Sequence, residues 1–254
     1  MLICALDPTS DGSVVLLEDD VLLFDVAMPR SDRPFEPLPD ILADFGYRPG
    51  DIAEFVIAGV GTGAEAAPDR SAAGTRSLAT ALTGTFSMRG RKYPFRGFGR
   101  AFAHLAGAYA ISPFARRGEP ALIVVGDGGT AARLSYITPS GWVDSGGRVP
   151  SPAPRDLDDR IRSWKGAGPW NLVLAGNAGH AAGSTGALRT LPTLRDAWLS
   201  PLPGETGAAL GAGVARLFER RGMACAIGWH SRLVPVLGAA SAGAEPETVV
   251  TGVG

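Results

Sequence analysis

LICALD, at residues 2–7, and ALIVVGD, at residues 121–127, are two short apolar runs that each end in an aspartate. In the first copy a polar turn leads to VVLL at 14–17, and an acidic turn then leads to VLLFDVAM at 21–28. In the second copy a glycine-containing turn leads to the alternating run RLSYI at 133–137, before a further turn and run. Apolar or alternating runs between turn residues predict strands, so each copy is predicted to begin with three consecutive strands.

The two copies also continue in the same way. A helical pattern at 37–46 precedes the apolar strand and glycine-rich turn EFVIAGVGTGAEA at 54–66, and a helical pattern at 157–164 precedes NLVLAGNAGHAAG at 171–183. Each copy then closes with a further helical pattern, at 101–110 and at 207–220. Such self-similarity is the sign of a repeated structural unit. We therefore predict an α/β fold of two βββαβα copies.

The predicted architecture has two lobes, residues 1–118 and residues 119–254, with a cleft between them. In folds of this kind, glycine-rich turns at strand ends present backbone N–H groups to phosphate. We expect Asp7 and Asp127 to face each other across the cleft, each at the end of a strand. The predicted nucleotide-contacting positions of the second lobe are Gly128, Gly129, Gly176, Asn177 and Gly179.

Composition and charge narrow the classes of partner. With 45% hydrophobic and 19% charged residues, the chain has a globular composition, and its net charge of −1 provides no general attraction for nucleic acid or an anionic membrane. The N-terminal segment lacks a basic region before a long apolar run, and no run approaches the ~20 residues of a membrane span. The two cysteines, Cys4 and Cys225, lack the spacing of a zinc or redox motif. We therefore expect a cytoplasmic protein that binds neither membrane nor nucleic acid.

Several segments resemble a known protein family, and they occur in the family's order. AHLAGAYAISPF at 103–114, followed by ALIVVGDGG at 121–129, resembles the hallmark region of the nodulation- and antibiotic-type O-carbamoyltransferases. NLVLAGNAGHAAGSTGALR at 171–189 resembles the family's adenosine-site segment, and LSPLPGETGAALGAG at 199–213 resembles a later glycine-rich run. RLVPVLGAA at 232–240 resembles the end of the family's transferase domain. A relative of the tRNA threonylcarbamoyl-adenosine machinery, which shares the fold, is the alternative.

The resemblance implies a duplicated ATPase-type fold of the actin/hexokinase kind. It implies that the cleft takes carbamoyl-adenylate, an ATP-derived nucleotide, and passes the carbamoyl group to a hydroxyl of a small-molecule acceptor. In the family a second, YrdC-like domain makes this adenylate, and the chain stops at Gly254, soon after the point where that domain would begin. We therefore expect no adenylate synthesis by this chain. The family also holds a metal, iron by expectation, in the transferase cleft.

The family's metal motif is only partly retained. His104 matches the second histidine of His-x-x-x-His, whereas the first falls at Arg100, which stays protonated and cannot bind metal. Asp127 matches a metal carboxylate of the family, and the other carboxylate falls at Glu205. Two asparagines of the adenosine site fall at positions with other side chains, Ala181 and Thr185. The remaining set, His104, Asp127 and Glu205, predicts weak or absent metal binding, with His104 and Asp127 as the catalytic candidates.

The segment 88–100, MRGRKYPFRGFGR, combines five cations with aromatic residues and leads directly into the helix that carries His104. We considered a solvated loop, a nucleic-acid contact, and a grip on an anionic ligand or acidic partner in which Arg100 takes part. Because Arg and Tyr are enriched at interface hot spots, we expect Tyr93 and Arg96 to lie at or beside an oligomer contact.

Two functions follow from these patterns. One is a carbamoyltransferase-like enzyme of a natural-product pathway that works within a complex. The other is a non-catalytic subunit that binds a full-length carbamoyltransferase. Both predict a homo- or hetero-oligomer.

Overall fold

The computed structural model describes residues 1–9, 12–28, 32–60, 82–126, 131–150, 154–176, 188, 190–202, 205–223 and 225–229. The first half of the chain forms β1 Leu2–Asp7, β2 Ser13–Glu18, β3 Val21–Ala27, α1 Leu38–Asp44, β4 Glu54–Ala58, β5 Leu82–Met88, β6 Arg91–Phe98, α2 Arg100–Ala110 and α3 Pro113–Arg116. The second half forms β7 Ala121–Gly126, β8 Ala131–Thr138, β9 Gly141–Pro150, α4 Pro154–Lys165, β10 Trp170–Gly176, β11 Leu194–Leu199, α5 Glu205–Arg221 and β12 Gly228–Trp229.

The strands form two sheets with the same internal order. The first sheet runs β12-β3-β2-β1-β4-β6-β5, and the second runs β9-β8-β7-β10-β11. In each sheet the first three strands, β1 to β3 or β7 to β9, pair in antiparallel fashion. The first of them also pairs in parallel with the strand after the next helix, β1 with β4 and β7 with β10. A further parallel strand follows in each sheet, β6 beside β4 and β11 beside β10. The predicted duplicated βββαβα fold, of the actin/hexokinase-like ATPase class, is confirmed.

The repeat extends to single residues at the strand ends. The sequence aligns Ala58-Gly59 with Ala175-Gly176, and both glycines have positive φ angles, +80° at Gly59 and +60° at Gly176. At Gly176 the reason is steric as well, because a Cβ there would stand 2.3 Å from the carbonyl oxygen of Gly126. Only glycine fits a left-handed turn at such a close approach of β7 and β10.

The two halves are joined by their closing helices, α2 and α5, which pack against each other. From the first half, α2 contacts β7 and β10 of the second sheet, while α5 lies on β1, β2 and β4 of the first sheet. The predicted boundary at residue 118 lies between α3 and β7, where the chain passes from one sheet to the other. Later in the chain, α5 and β12 return to the first sheet. The predicted division into two lobes, residues 1–118 and residues 119–254, stays a prediction.

The prediction for segment 88–100 is wrong in its local structure. Residues 91–98 form β6, which lies between β4 and β5, rather than a surface loop. The ring of Tyr93 packs against Phe55 and Phe86, at centroid distances of 5.4 and 5.7 Å. The guanidinium of Arg96 pairs with Glu219 of α5 at 2.6 Å. Both side chains therefore have partners within the chain. Their expected place at or beside an oligomer contact stays a prediction.

Cys4 is fully buried in β1, and Cys225 is partly buried. Among the described residues, no helix is long and apolar enough to cross a membrane.

Candidate functional site

The candidate site begins where β1 ends. Asp7, the last residue of β1, is completely buried. Its Oδ2 accepts a hydrogen bond from Nη2 of Arg100 at 2.5 Å, and its Oδ1 accepts one from the backbone N–H of Thr9 at 3.3 Å. The same Nη2 also donates to the hydroxyl of Thr9 at 3.1 Å. A buried carboxylate needs such partners, so the first residue of α2 is bound to the last residue of β1.

His104 lies one helical turn after Arg100 on α2. Its side chain is buried with 9% of its surface exposed. Burial, and then the charge of Arg100, lower the pKa of His104 to about 4, although the negative charge of Asp7 acts in the opposite direction. The imidazole is therefore neutral at physiological pH.

The first turn of α5 closes the site on the other side of His104. A Cβ added at Gly207 would stand 2.2 Å from the carbonyl oxygen of Leu202 and 3.4 Å from Nδ1 of His104. The absence of a side chain at Gly207 therefore allows α5 to begin directly beside the imidazole. The predicted cleft residues Asp7, Arg100 and His104 are thus brought together by β1, α2 and α5.

A second carboxyl, that of the half-buried Asp25, lies beside the same turn of α5, and no sequence motif pointed to it. Its register partner on β2 is Val15, and its side chain is hydrogen-bonded by that of Thr206. Burial raises the pKa of Asp25 to about 7. Asp25 Oδ1 and the Oγ of Ser13 are buried, and neither has a hydrogen-bond partner among the described residues. The signal in the sequence was a carboxyl within the apolar run VLLFDVAM.

The remaining predicted site residues belong largely to the undescribed part of the chain. Gly176 ends β10 beside Gly126, as described above. Glu205 begins α5, but its side chain is not among those described. The other predicted positions lie outside the described residues, namely Asp127, Gly128, Gly129, Asn177 and Gly179. The expected approach of Asp7 and Asp127 therefore stays a prediction.

The described part of the site does not fit a bound metal ion. Within the described residues, no group of three or more His, Cys, Asp and Glu side chains could hold one. His104 offers one nitrogen, and Asp7 is already paired with a permanent cation. A transition-metal site usually needs three or four protein ligands. Arg100 and the first turn of α5 instead favour an anionic ligand, because helix N-termini and guanidinium groups both attract phosphate.

The protonation state of His104 leads to a prediction that needs no ligand. We expect its imidazole to titrate near pH 4, since burial and Arg100 disfavour the charged form. Because the pKa is lower in the folded chain, this group stabilises the fold fully above the unfolded pKa of about 6.5, and the contribution is lost as the pH falls through about 4. Imidazole NMR signals measure this directly, and His104→Gln assigns the signal. A value of 6.5 or higher would contradict the buried placement.

No protein-family model matches the chain. Among curated proteins, nodulation protein U of Bradyrhizobium diazoefficiens is 32% identical over 167 residues, which cover 56% of this chain and 29% of that protein. Nodulation protein U of Rhizobium tropici is 28% identical over 167 residues, covering 54% of this chain and 28% of that protein. The chain is similar to nodulation protein U over about half of its length. This confirms the family resemblance, and the match spans less than a third of the length of these relatives.

Solved structures resemble the chain more distantly. YeaZ from Pseudomonas aeruginosa is 13% identical with a TM-score of 0.42, covering 89% of this chain and 98% of that chain. Inorganic polyphosphate/ATP-glucomannokinase from Arthrobacter sp. strain KM is 15% identical with a TM-score of 0.43, and the match covers 86% of this chain and 99% of that chain. With scores this low, the fold class rests on the strand order of the chain itself.

Proposed function

We propose that this chain takes part in carbamoyl transfer, from carbamoyl-adenylate to a hydroxyl of a small-molecule acceptor in a natural-product pathway. The observation that carries the proposal is the cluster of the buried Asp7 and His104 with the partly exposed Arg100, in a chain similar to nodulation protein U. The cluster joins a carboxylate, a guanidinium and a neutral imidazole at the closing helices of both halves. The ATP-derived donor is available in the cytoplasm, where we propose that the chain acts.

In the proposed reaction the acceptor oxygen attacks the carbonyl carbon of the donor. A new C–O bond forms to the carbamoyl carbon, the C–O bond to the adenylate phosphate breaks, and AMP leaves. The hydroxyl proton passes to the neutral imidazole of His104, which is the general base. An anionic ligand beside His104 raises its pKa, because a negative charge favours the imidazolium, and this makes the imidazole a better proton acceptor when the site is filled.

The other groups of the site bind and orient. Arg100 holds Asp7 and places positive charge beside the ligand, and the first turn of α5, beside His104, adds the positive end of the helix dipole. The buried carboxylate of Asp7 fixes the guanidinium, so that the position of the cation does not depend on the ligand. Asp127 and the turn at Gly128 and Gly129 are proposed to complete the site from the second half.

A specific observation favours a second function, that of a non-catalytic subunit. The pKa of His104, about 4, makes it a weak base in the ligand-free chain, and Arg100 lies where the family has a histidine. In this alternative the chain binds a full-length carbamoyltransferase and stimulates it. Either function is proposed to operate in a homo- or hetero-oligomer.

The test uses carbamoyl-adenylate made in situ by a separate synthetase domain from ATP and labelled carbamoyl phosphate. Labelled small molecules are then separated after incubation with an extract that supplies acceptors. We expect the wild type to transfer label, and His104→Gln to lower the rate by about 10²- to 10⁴-fold, the range for loss of a general base. Asp44→Asn, at an exposed aspartate of α1, is the control and should retain the rate.

The outcomes separate the two functions. Transfer that is lost in His104→Gln and kept in Asp44→Asn supports the enzyme. A chain that transfers nothing alone, but accelerates a full-length carbamoyltransferase, supports the subunit. If the chain neither transfers label nor stimulates a full-length carbamoyltransferase, both proposed functions are overturned.

A further inference from the structure

Arg100 occupies a position on α2 that gives it an unusual neighbourhood. It lies four residues before His104, so both side chains project from the same face of the helix. Its guanidinium contacts Asp7, whose side chain is 0% exposed, while the Arg100 side chain itself is 38% exposed. The cation thus spans from the buried end of β1 towards the accessible part of the site.

The charge of Arg100 is permanent, because a guanidinium is not deprotonated in proteins. A metal ion that used Asp7 and His104 as ligands would first have to displace this group. Removing the guanidinium would leave the fully buried carboxylate of Asp7 without its charged partner. A metal ion that bound beside the guanidinium without displacing it would be repelled by its positive charge. The hydrogen bond to Thr9 holds the guanidinium in the same place.

We propose that Arg100 is a built-in cation that takes the place of a metal ion in this site. It neutralises Asp7, keeps a positive charge beside His104, and leaves the imidazole free of metal. The anionic part of the ligand is then bound through Arg100 without a divalent ion. This inference rests on the proposed function only for the identity of the ligand, since the contacts of Arg100 exist without it.

The experiment measures binding of Co²⁺ and Zn²⁺ to the wild type, Arg100→His and Arg100→Gln. We expect no saturable binding to the wild type below about 1 mM. Arg100→His places two imidazoles at i and i+4 and releases Asp7 as a third ligand, so its affinity should rise at least about 100-fold. Arg100→Gln removes the charge without supplying a ligand and is the matched control. It should gain less than about 10-fold.

Two results would overturn the inference. The first is micromolar metal binding by the wild type that disappears in His104→Gln, which would show a metal site at the cluster despite Arg100. The second is equal affinity of Arg100→His and Arg100→Gln when both variants show a cooperative thermal transition. If a variant does not fold, the wild type and His104→Gln still decide the question. Because the readout is metal affinity, it can fail independently of carbamoyl transfer.

Discussion

Replacing Gly211 by alanine is expected to destabilise the chain by at least about 3 kcal/mol, because the two closing helices leave no space for a side chain where they cross. A Cβ at Gly211 would stand 1.7 Å from the carbonyl oxygen and 2.3 Å from the carbonyl carbon of Ala103. On the opposite helix, a Cβ at Gly107 would stand 2.9 Å from Cα of Gly211. These neighbours are backbone atoms, so α2 and α5 would have to separate.

Urea unfolding of Gly211→Ala measures the loss of stability. The matched control is Gly50→Ala, because a Cβ at Gly50 meets nothing within 4 Å. We expect the control to stay within about 0.5 kcal/mol of the wild type. The loss at Gly211 is large relative to the ~5–15 kcal/mol of a typical domain, so a failure to fold would also agree with the account. A Gly211→Ala protein within about 1 kcal/mol of the wild type would contradict the close crossing of the helices.

Replacing Asp25 by asparagine is expected to raise the stability of the chain relative to the wild type, and this gain should be larger at alkaline than at acid pH. The pKa of Asp25 is raised by burial from 3.8 to about 7, so the protonated form is favoured in the folded state. The stabilising contribution of this group is fully present below the unfolded pKa of 3.8 and is lost as the pH rises through about 7. Asparagine resembles the protonated carboxyl and does not titrate.

The expected size follows from the shift in pKa. A difference of roughly 3 units corresponds to at most about 4 kcal/mol, and relaxation and partial hydration reduce it to about 2 kcal/mol. Between pH 4 and pH 8, we therefore expect the stability of Asp25→Asn to gain about 2 kcal/mol relative to the wild type, measured by denaturant unfolding at both values. Asp44→Asn, at an exposed aspartate, is the control and should show no such gain. Equal pH dependence of Asp25→Asn and the wild type would contradict the burial of this carboxyl.

The repeated fold was predictable because its signals are local. The first four strands, β1 to β4, are apolar runs between turn residues, and the second unit opens in the same order, so the duplication could be recognised before any contact was known. Segment 88–100 was misjudged because its charge and glycine content are typical of a loop. Its strand forms because β4 and β5 lie on either side, and Tyr93 covers apolar rings of the same sheet. Those partners are not local in sequence.

The site was predictable in part for the same reason. Asp7 and His104 stood out through their positions at a strand end and in a family motif, and Arg100 through its place in that motif. The ion pair between Arg100 and Asp7 depends on how α2 meets β1, which no local pattern specifies. Asp25 was missed because its run predicts a strand regardless of what covers it. Its burial depends on α5, which comes from the other half of the chain.

The central claim is that the ligand binds at the cluster of Asp7, Arg100 and His104. The most direct measurement follows the imidazole NMR signal of His104 while AMP, the leaving group of the proposed donor, is added up to about 10 mM, a range that reveals even millimolar affinity. We predict a saturable shift of this signal and a higher pKa of His104 in the bound state, because the phosphate brings negative charge towards the imidazole. A His104 signal that stays unchanged across the whole titration would contradict the claim.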